Sequence, residues 1–223
     1  MKLIIFDCDG TLVDSQHKIC AAMAHAFTAM ALPVPARAEI LGIVGLSLPQ
    51  VFAVLAPDQP ASVQAELAKL YRLDFPAQRG GAALHDPLFA GVDALVATLA
   101  RRGDVVLGMA TGKSRRGVAR ILEREGWSGH FLTIQTADDH PSKPHPAMIL
   151  QAMAEVGADA ASTTMVGDTT YDIEMALAAG VRGVGVGWGY HAPMRLLQAG
   201  AERVVNSSEE LLKAIAEPLG ALA

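Results

Sequence analysis

Two aspartates one residue apart, Asp7 and Asp9, follow a run of four apolar residues, Leu3 to Phe6. Two more, Asp168 and Asp172, follow a second short run, Thr164-Met165-Val166. If both runs are strands of one parallel sheet, their carboxylates meet at its carboxyl edge, where open parallel sheets bind ligands. Negative charges gathered in one crevice repel unless a cation joins them. Hard oxygen donors with few His or Cys suit Mg²⁺, which is held by one or two carboxylates plus substrate phosphate. Such an ion draws in a phosphate and neutralises its charge during transfer. Asp7 and Asp9, two apart on an extended strand end, face the same side. One can attack phosphorus while the other moves a proton, and a carboxylate can act as a covalent nucleophile. Lys143, in Ser142-Lys143-Pro144-His145-Pro146, is the expected positive partner, fixed at a helix entrance by the prolines. Thr111 adds a hydroxyl, and the Thr111-Gly112-Lys113 turn offers backbone N–H groups to another oxygen.

Positioning these groups is the task of the remaining elements. Short apolar runs at Leu3–Phe6, Val105–Leu107, Phe131–Ile134, Thr164–Val166 and Val184–Val186 read as buried strands without alternation. Between them lie stripes of helical period: Val92, Leu95, Val96 and Leu99; Ile149, Ala152, Met153 and Val156; Ile173, Ala176, Leu177 and Gly180. Unalternating strands separated by amphipathic helices predict a doubly wound, Rossmann-like α/β core with a parallel sheet covered on both faces. From about Ser15 to Leu84 the rhythm breaks. No buried strand is legible there, while Ile19, Met23, Phe27 and Met30 make one helical stripe and Leu67, Leu70 and Tyr71 suggest another. Residues 15–84 are therefore expected to be an all-α insertion after the first strand, with 1–14 and 85–223 forming the core. Arg79-Gly80-Gly81 and His85-Asp86-Pro87 would form the return linker.

The bulk composition closes off other classes. Of 223 residues, 51% are hydrophobic and 18% charged, enough to bury a sizeable core. Eighteen Lys+Arg against 23 Asp+Glu leave a net charge of −5, which argues against a nucleic-acid footprint. Two cysteines, Cys8 and Cys20, make neither a disulfide framework nor a zinc set. No apolar run approaches the roughly 18 residues a membrane span requires, and the apolar stretch before Asp7 is too short for a signal-peptide core. A soluble, cytoplasmic protein is expected. Gly108 to Ser114 imitates a P-loop but has three residues between its glycines where four are required. Arg116, Arg120 and Arg124 form a helical stripe, expected to be a solvated face beside Glu123 and Glu125. Asp14 and Ser15 are expected to cap the first inserted helix. Lys113 is as readily a surface side chain as a substrate-facing one.

Asp7-Cys8-Asp9-Gly10-Thr11-Leu12-Val13-Asp14-Ser15 resembles the first motif of the haloacid dehalogenase superfamily. Thr111, Lys143 and Gly167-Asp168-Thr169-Thr170-Tyr171-Asp172 follow in order as its second, third and fourth motifs. The resemblance spans essentially the whole chain and is nearest to the phosphoglycolate phosphatase-type hydrolases, with the inserted helices as a small α-helical cap. It implies a phosphatase that acts on a small phosphorylated metabolite through an aspartyl-phosphate. By it, Asp7 is the nucleophile and Asp9 the general acid/base. Mg²⁺ is held by Asp7, the backbone carbonyl of Asp9, and Asp168, with Asp172 orienting a metal-bound water or the loop. Thr111, Gly112 and Lys143 bind the phosphoryl group. One departure stands out: the family often has an amide residue where this chain has Gly112.

Relatives of other chemistry share parts of this pattern. A dehalogenase has no need of Asp9 or a metal, and a phosphonate hydrolase needs a cap lysine that the Gly42–Ser47 loop lacks. A sugar phosphomutase shares every catalytic residue and remains the alternative, although that loop has no basic residue for a second phosphate. A regulatory binding protein would be expected to have lost a carboxylate, and all four are present. Arg72 and Arg79 are the inserted residues best placed to read a carboxylate on the leaving group. The residues carry no reading of oligomeric state.

Overall fold

The computed structural model describes residues 1–77 and 86–216, with residues 74–77 described by backbone alone. Six parallel strands form one sheet: β1 (Lys2–Phe6), β2 (Val105–Thr111), β3 (Phe131–Thr136), β4 (Thr163–Gly167), β5 (Arg182–Val186) and β6 (Arg203–Val205). Their spatial order is β3-β2-β1-β4-β5-β6, the order of a doubly wound fold. Alternation along β1 explains its unbroken apolarity. Ile4 and Phe6 enter one core with α5 (Val92–Ala100), α6 (Arg115–Arg124) and α10 (Ser208–Ala216). Leu3 and Ile5 enter the other with α7 (Ala147–Val156) and α8 (Thr170–Ala178). Successive side chains point to opposite faces, and both faces are dry.

The five expected strands all lie within observed ones. The three-residue β6, on the sheet edge beside β5 and followed in the chain by α10, is an addition: Arg203-Val204-Val205 is too short a run to register as periodic. The third helical stripe needs correction. α8 ends at Ala178, so Gly180 lies beyond it with φ +70°, where the Val181 amide returns to the Ala176 carbonyl. Leu177 is 53% exposed; the residues α8 turns inward are Ile173, Met175 and Ala176.

Among the described residues, four helices lie between β1 and α5: α1 (Gln16–Ala29), α2 (Arg37–Leu41), α3 (Leu48–Leu55) and α4 (Ala61–Ala77). They close on their own apolar cluster, in which Met23, Phe27, Phe52 and Leu67 are buried and the Phe27 and Phe52 rings lie 6.2 Å apart. The expected return linker at Arg79-Gly80-Gly81 and the 84/85 boundary fall outside the described residues. α9 (Pro193–Gln198) completes the set, and no described helix is long and apolar enough to cross a membrane.

The sheet brings the chemistry together. β1 lies between β2 and β4, so the winding reverses beside it. Asp7 directly follows β1, Thr111 ends β2, and Asp168 directly follows β4. Phe6 is level with Met109 on one side and Val166 on the other, which sets these three residues at one edge.

Candidate active site

Asp7, Asp168 and Asp172 are all buried, and each offers a carboxylate oxygen within 4.8 Å of the others. Asp168 is held from two sides: Thr11 Oγ1 donates to its Oδ1 at 2.8 Å, and the Tyr190 amide to its Oδ2 at 2.9 Å. Gly10, at φ +92°, lets the β1 loop press against this carboxylate, since a Cβ there would lie 2.2 Å from Asp168 Oδ2. Asp172 sits on the first turn of α8, where its Oδ2 accepts from the Thr169 amide (3.0 Å) and hydroxyl (2.7 Å) in a reciprocal cap. That cap ties Asp172 to Thr169, the residue that follows Asp168.

Lys143, fully buried just ahead of α7, donates to Asp172 Oδ1 at 2.6 Å and lies 2.8 Å from Asp7 Oδ1. Neither Asp7 oxygen accepts a hydrogen bond, although both are buried. Burial pushes the Asp7 carboxyl up to about 6 against the pull of Lys143, and burial likewise raises Asp168, with Asp172 and Asp7 adding like-charge repulsion. Three carboxylates against one ammonium leave two negative charges in a dry site. The all-oxygen donor set and the orphaned Asp7 oxygens fit one divalent cation.

Asp9 faces elsewhere. Its carboxylate takes Lys113 Nζ at 2.7 and 3.0 Å and also accepts from the Ser15 hydroxyl. Lys113 is thereby a site residue, with only 8% of its side chain exposed. Ser15 is not a side-chain cap of α1, because its hydroxyl is spent on Asp9. Asp14 does hold the start of α1, accepting from the Gln16 amide at 3.3 Å and its side-chain amide at 2.8 Å. Thr111 Oγ1 accepts from the Lys113 amide at 3.2 Å, which leaves its own proton to donate.

The inserted helices close over this edge through backbone contacts. The Gly42 carbonyl accepts from Tyr171 Oη at 3.2 Å, and His191 Nε2 lies 3.1 Å from it. His191 Nδ1 accepts from the Thr170 amide at 3.1 Å, so its proton is assigned to Nε2, which donates to Gly42. The Ser47 amide donates to Ser142 Oγ at 2.7 Å, next to Lys143. A Cβ on Gly112 would come 2.6 Å from the Gly45 carbonyl oxygen. The missing amide residue thus has a steric reason: the backbone of the inserted loop occupies its space. Gly112→Asn should overpack this contact by roughly 1–3 kcal/mol, raising hydrogen exchange at the 42–47 amides roughly 5- to 150-fold. Unchanged exchange there would show that the loop has room to spare.

A cavity of about 650 Å³ lies between the inserted helices and the core. Asp7, Asp9, Thr111, Gly112 and Lys113 line one part of it, and Met23, Val44, Leu46 and Val51 another. Arg116, Arg120 and Arg124 also line it, so the stripe expected to be a plain solvated face borders the cavity. Periodicity could not show this, because the wall opposite α6 comes from helices some forty residues or more earlier in the chain. Arg72 lines the cavity too, while Arg79 lies outside the described residues.

A sequence profile of the haloacid dehalogenase-like hydrolases matches residues 4–186. The chain belongs to the haloacid dehalogenase-like hydrolase family. It is 37% identical over 219 residues to a protein of Dickeya dadantii named probable phosphatase IndB, covering 95% of this chain and 92% of that one. It is 29% identical to a phosphoglycolate phosphatase of Vibrio parahaemolyticus, over 97% and 96% of the two chains. A crystal structure of a predicted phosphatase from Clostridium acetobutylicum superposes with a TM-score of 0.84 at 27% identity, over 96% and 97%.

Proposed function

We propose that this haloacid dehalogenase-like hydrolase is a Mg²⁺-dependent phosphatase of small, phosphoglycolate-like phosphomonoesters, working through an aspartyl-phosphate on Asp7. The observation that carries the reading is Asp7 itself: a buried carboxylate with no hydrogen bond on either oxygen, beside a buried lysine, in a cluster two charges short of neutral. The phosphatase names of its relatives agree with it. Residues 15–84 would serve as the cap over a core of 1–14 and 85–223.

An uncommitted Asp7 oxygen attacks phosphorus, and the bond to the leaving oxygen breaks as Asp9 gives that oxygen a proton. Water then attacks the phosphorus of the acyl phosphate, its proton passing to Asp9, and phosphate leaves with Asp7 regenerated. Lys143 and the Thr111 hydroxyl hold the equatorial oxygens, with the Gly112 amide nearby. Asp7 and Asp168, with the Asp9 carbonyl, would hold the metal, and Asp172 keeps its loop in place. When bound, Mg²⁺ supplies charge neutralisation for the phosphoryl group. Lys113 and Ser15 orient the Asp9 carboxylate.

Aryl phosphate should be hydrolysed slowly with Mg²⁺ and not at all after chelation, with recovery on adding Mg²⁺ back. Full activity in exhaustively chelated protein would remove the metal from the reading. Acid-stable trapping of phosphate anywhere but Asp7 would remove the nucleophile.

A further inference from the structure

The third residue of α6 is a glycine, Gly117, at a place where alanine would make the stronger helix. What stands beside it is the Lys113 side chain. A Cβ at 117 would come 2.9 Å from Lys113 Cγ and 3.3 Å from both Cδ and Cε. The first of these is closer than side-chain carbons pack, so any larger residue must displace the lysine stem. Lys113 therefore runs along the bare backbone of α6 before its ammonium reaches both Asp9 oxygens, at 2.7 and 3.0 Å. Its backbone end is held as well, since the Lys113 amide donates to Thr111 Oγ1 at 3.2 Å. Asp7, Asp9, Lys113 and Gly117 all line the same cavity.

We infer that Gly117 is a positioning residue: the space it leaves open is the slot along which Lys113 reaches Asp9 and sets that carboxylate for protonating the leaving oxygen. The inference rests on the phosphatase reading and adds to it a residue with no reactive group of its own. When Asp9 passes its proton to the leaving oxygen it is left as a carboxylate, and the ammonium against both oxygens stabilises that charge as it forms. In the second half-reaction Asp9 takes a proton from the attacking water, and the same ammonium keeps its oxygens in place. Proton transfer demands hydrogen-bond reach, and a misplacement of about 1 Å costs on the order of 10²-fold. A methyl group at 117 shifts the lysine stem and so disturbs this reach while both reacting carboxylates are retained. The demand varies with the leaving group. An alkoxide needs a proton in order to leave, whereas a nitrophenolate spreads its own charge and does not.

The test compares an n-alkyl phosphate with para-nitrophenyl phosphate in Gly117→Ala. kcat/KM, which covers the steps up to phosphoryl transfer, should fall roughly 10- to 100-fold for the alkyl ester and no more than about threefold for the aryl ester. Alanine favours the helix, so the thermal midpoint should stay within about 4 °C of wild type. A methyl that only narrowed the cavity would penalise the bulkier aryl ester more. Lys113→Met should show the same dependence on the leaving group. Gly117→Ala/Lys113→Met should lose no more than Lys113→Met alone, because both changes act through one ion pair. Equal losses on the two esters, additive losses in the double variant, or no loss at all overturns the inference. Crystal structures of wild type and Gly117→Ala separate it from the reading on which it rests. An ammonium displaced from Asp9 in the variant, in a protein that releases phosphate from no ester, would keep the slot and discard the phosphatase reading. An ammonium still on both Asp9 oxygens would overturn the slot, whatever the activity.

Discussion

Asp7→Asn should abolish turnover and at the same time make the metal-free protein more stable. An amide is no nucleophile, so no phosphoryl-enzyme should be trapped, and activity should fall on the order of 10⁴- to 10⁶-fold, as for other enzymes stripped of the attacking group. The gain in stability has a separate cause. In the fold the Asp7 carboxyl is raised from 3.8 to about 6 by burial, so the folded state holds its proton more tightly than the unfolded chain does. The stability this group contributes is complete below pH 3.8 and is lost as pH rises through about 6. At pH 8, carrying the charge costs on the order of 3 kcal/mol, from 1.36 kcal/mol per tenfold change. Asparagine avoids that cost. Thermal unfolding of chelated protein should therefore show Asp7→Asn above the wild type at pH 8, with the two converging toward pH 4. A variant that is less stable than wild type at pH 8 would mean that Asp7 is satisfied by more than its described partners.

Lys143→Met should cost both activity and stability, and a second substitution should return only one of them. The lysine is fully buried and touches Asp7 and Asp172. Removing one partner of a buried ionic cluster typically costs about 3–5 kcal/mol, because it strands the remaining charge. On the proposed reading it also takes away a preorganised cation at the phosphoryl oxygens, worth roughly 10²- to 10³-fold. Lys143→Met/Asp172→Asn removes one charge of each sign and should recover much of the unfolding free energy. Catalysis should stay at the single-variant level, since the ammonium is still missing. Recovery of activity in the double variant would show that Lys143 acts by balancing Asp172 and not by holding phosphate.

The acidic cluster was legible in the sequence because its members follow strands, and a parallel sheet obliges strand ends to converge. Asp7, Thr111 and Asp168 needed nothing beyond apolar runs and the winding rule. The same logic gave the doubly wound core and missed only β6, too short a run to declare itself. Lys143 was found from its proline neighbours and its sign. The groups that fix Asp9 were harder. Ser15 precedes a helix, where a hydroxyl usually serves the backbone, yet here the carboxylate six residues earlier takes it. The outcome depends on how the Asp7–Ser15 loop folds back, which no local propensity encodes. Lys113 was undecidable for the same reason. Arg116 and Arg124 are exposed as the stripe on α6 implies, and what the pattern could not tell is that this face also borders the cavity. His191 and Tyr171, which hold the Gly42 carbonyl, lie about 130 to 150 residues from it.

The meeting of Gly45 with Gly112 divides labour within the molecule. Two residues without side chains touch main chain to main chain, so the contact has almost no chemical identity of its own. It depends on no side chain, so changes elsewhere in the cavity wall need not disturb it. Selection can therefore remodel the lining while this contact stays as it is. A chain built this way is free to reshape its cavity without relearning how its inserted loop meets the core.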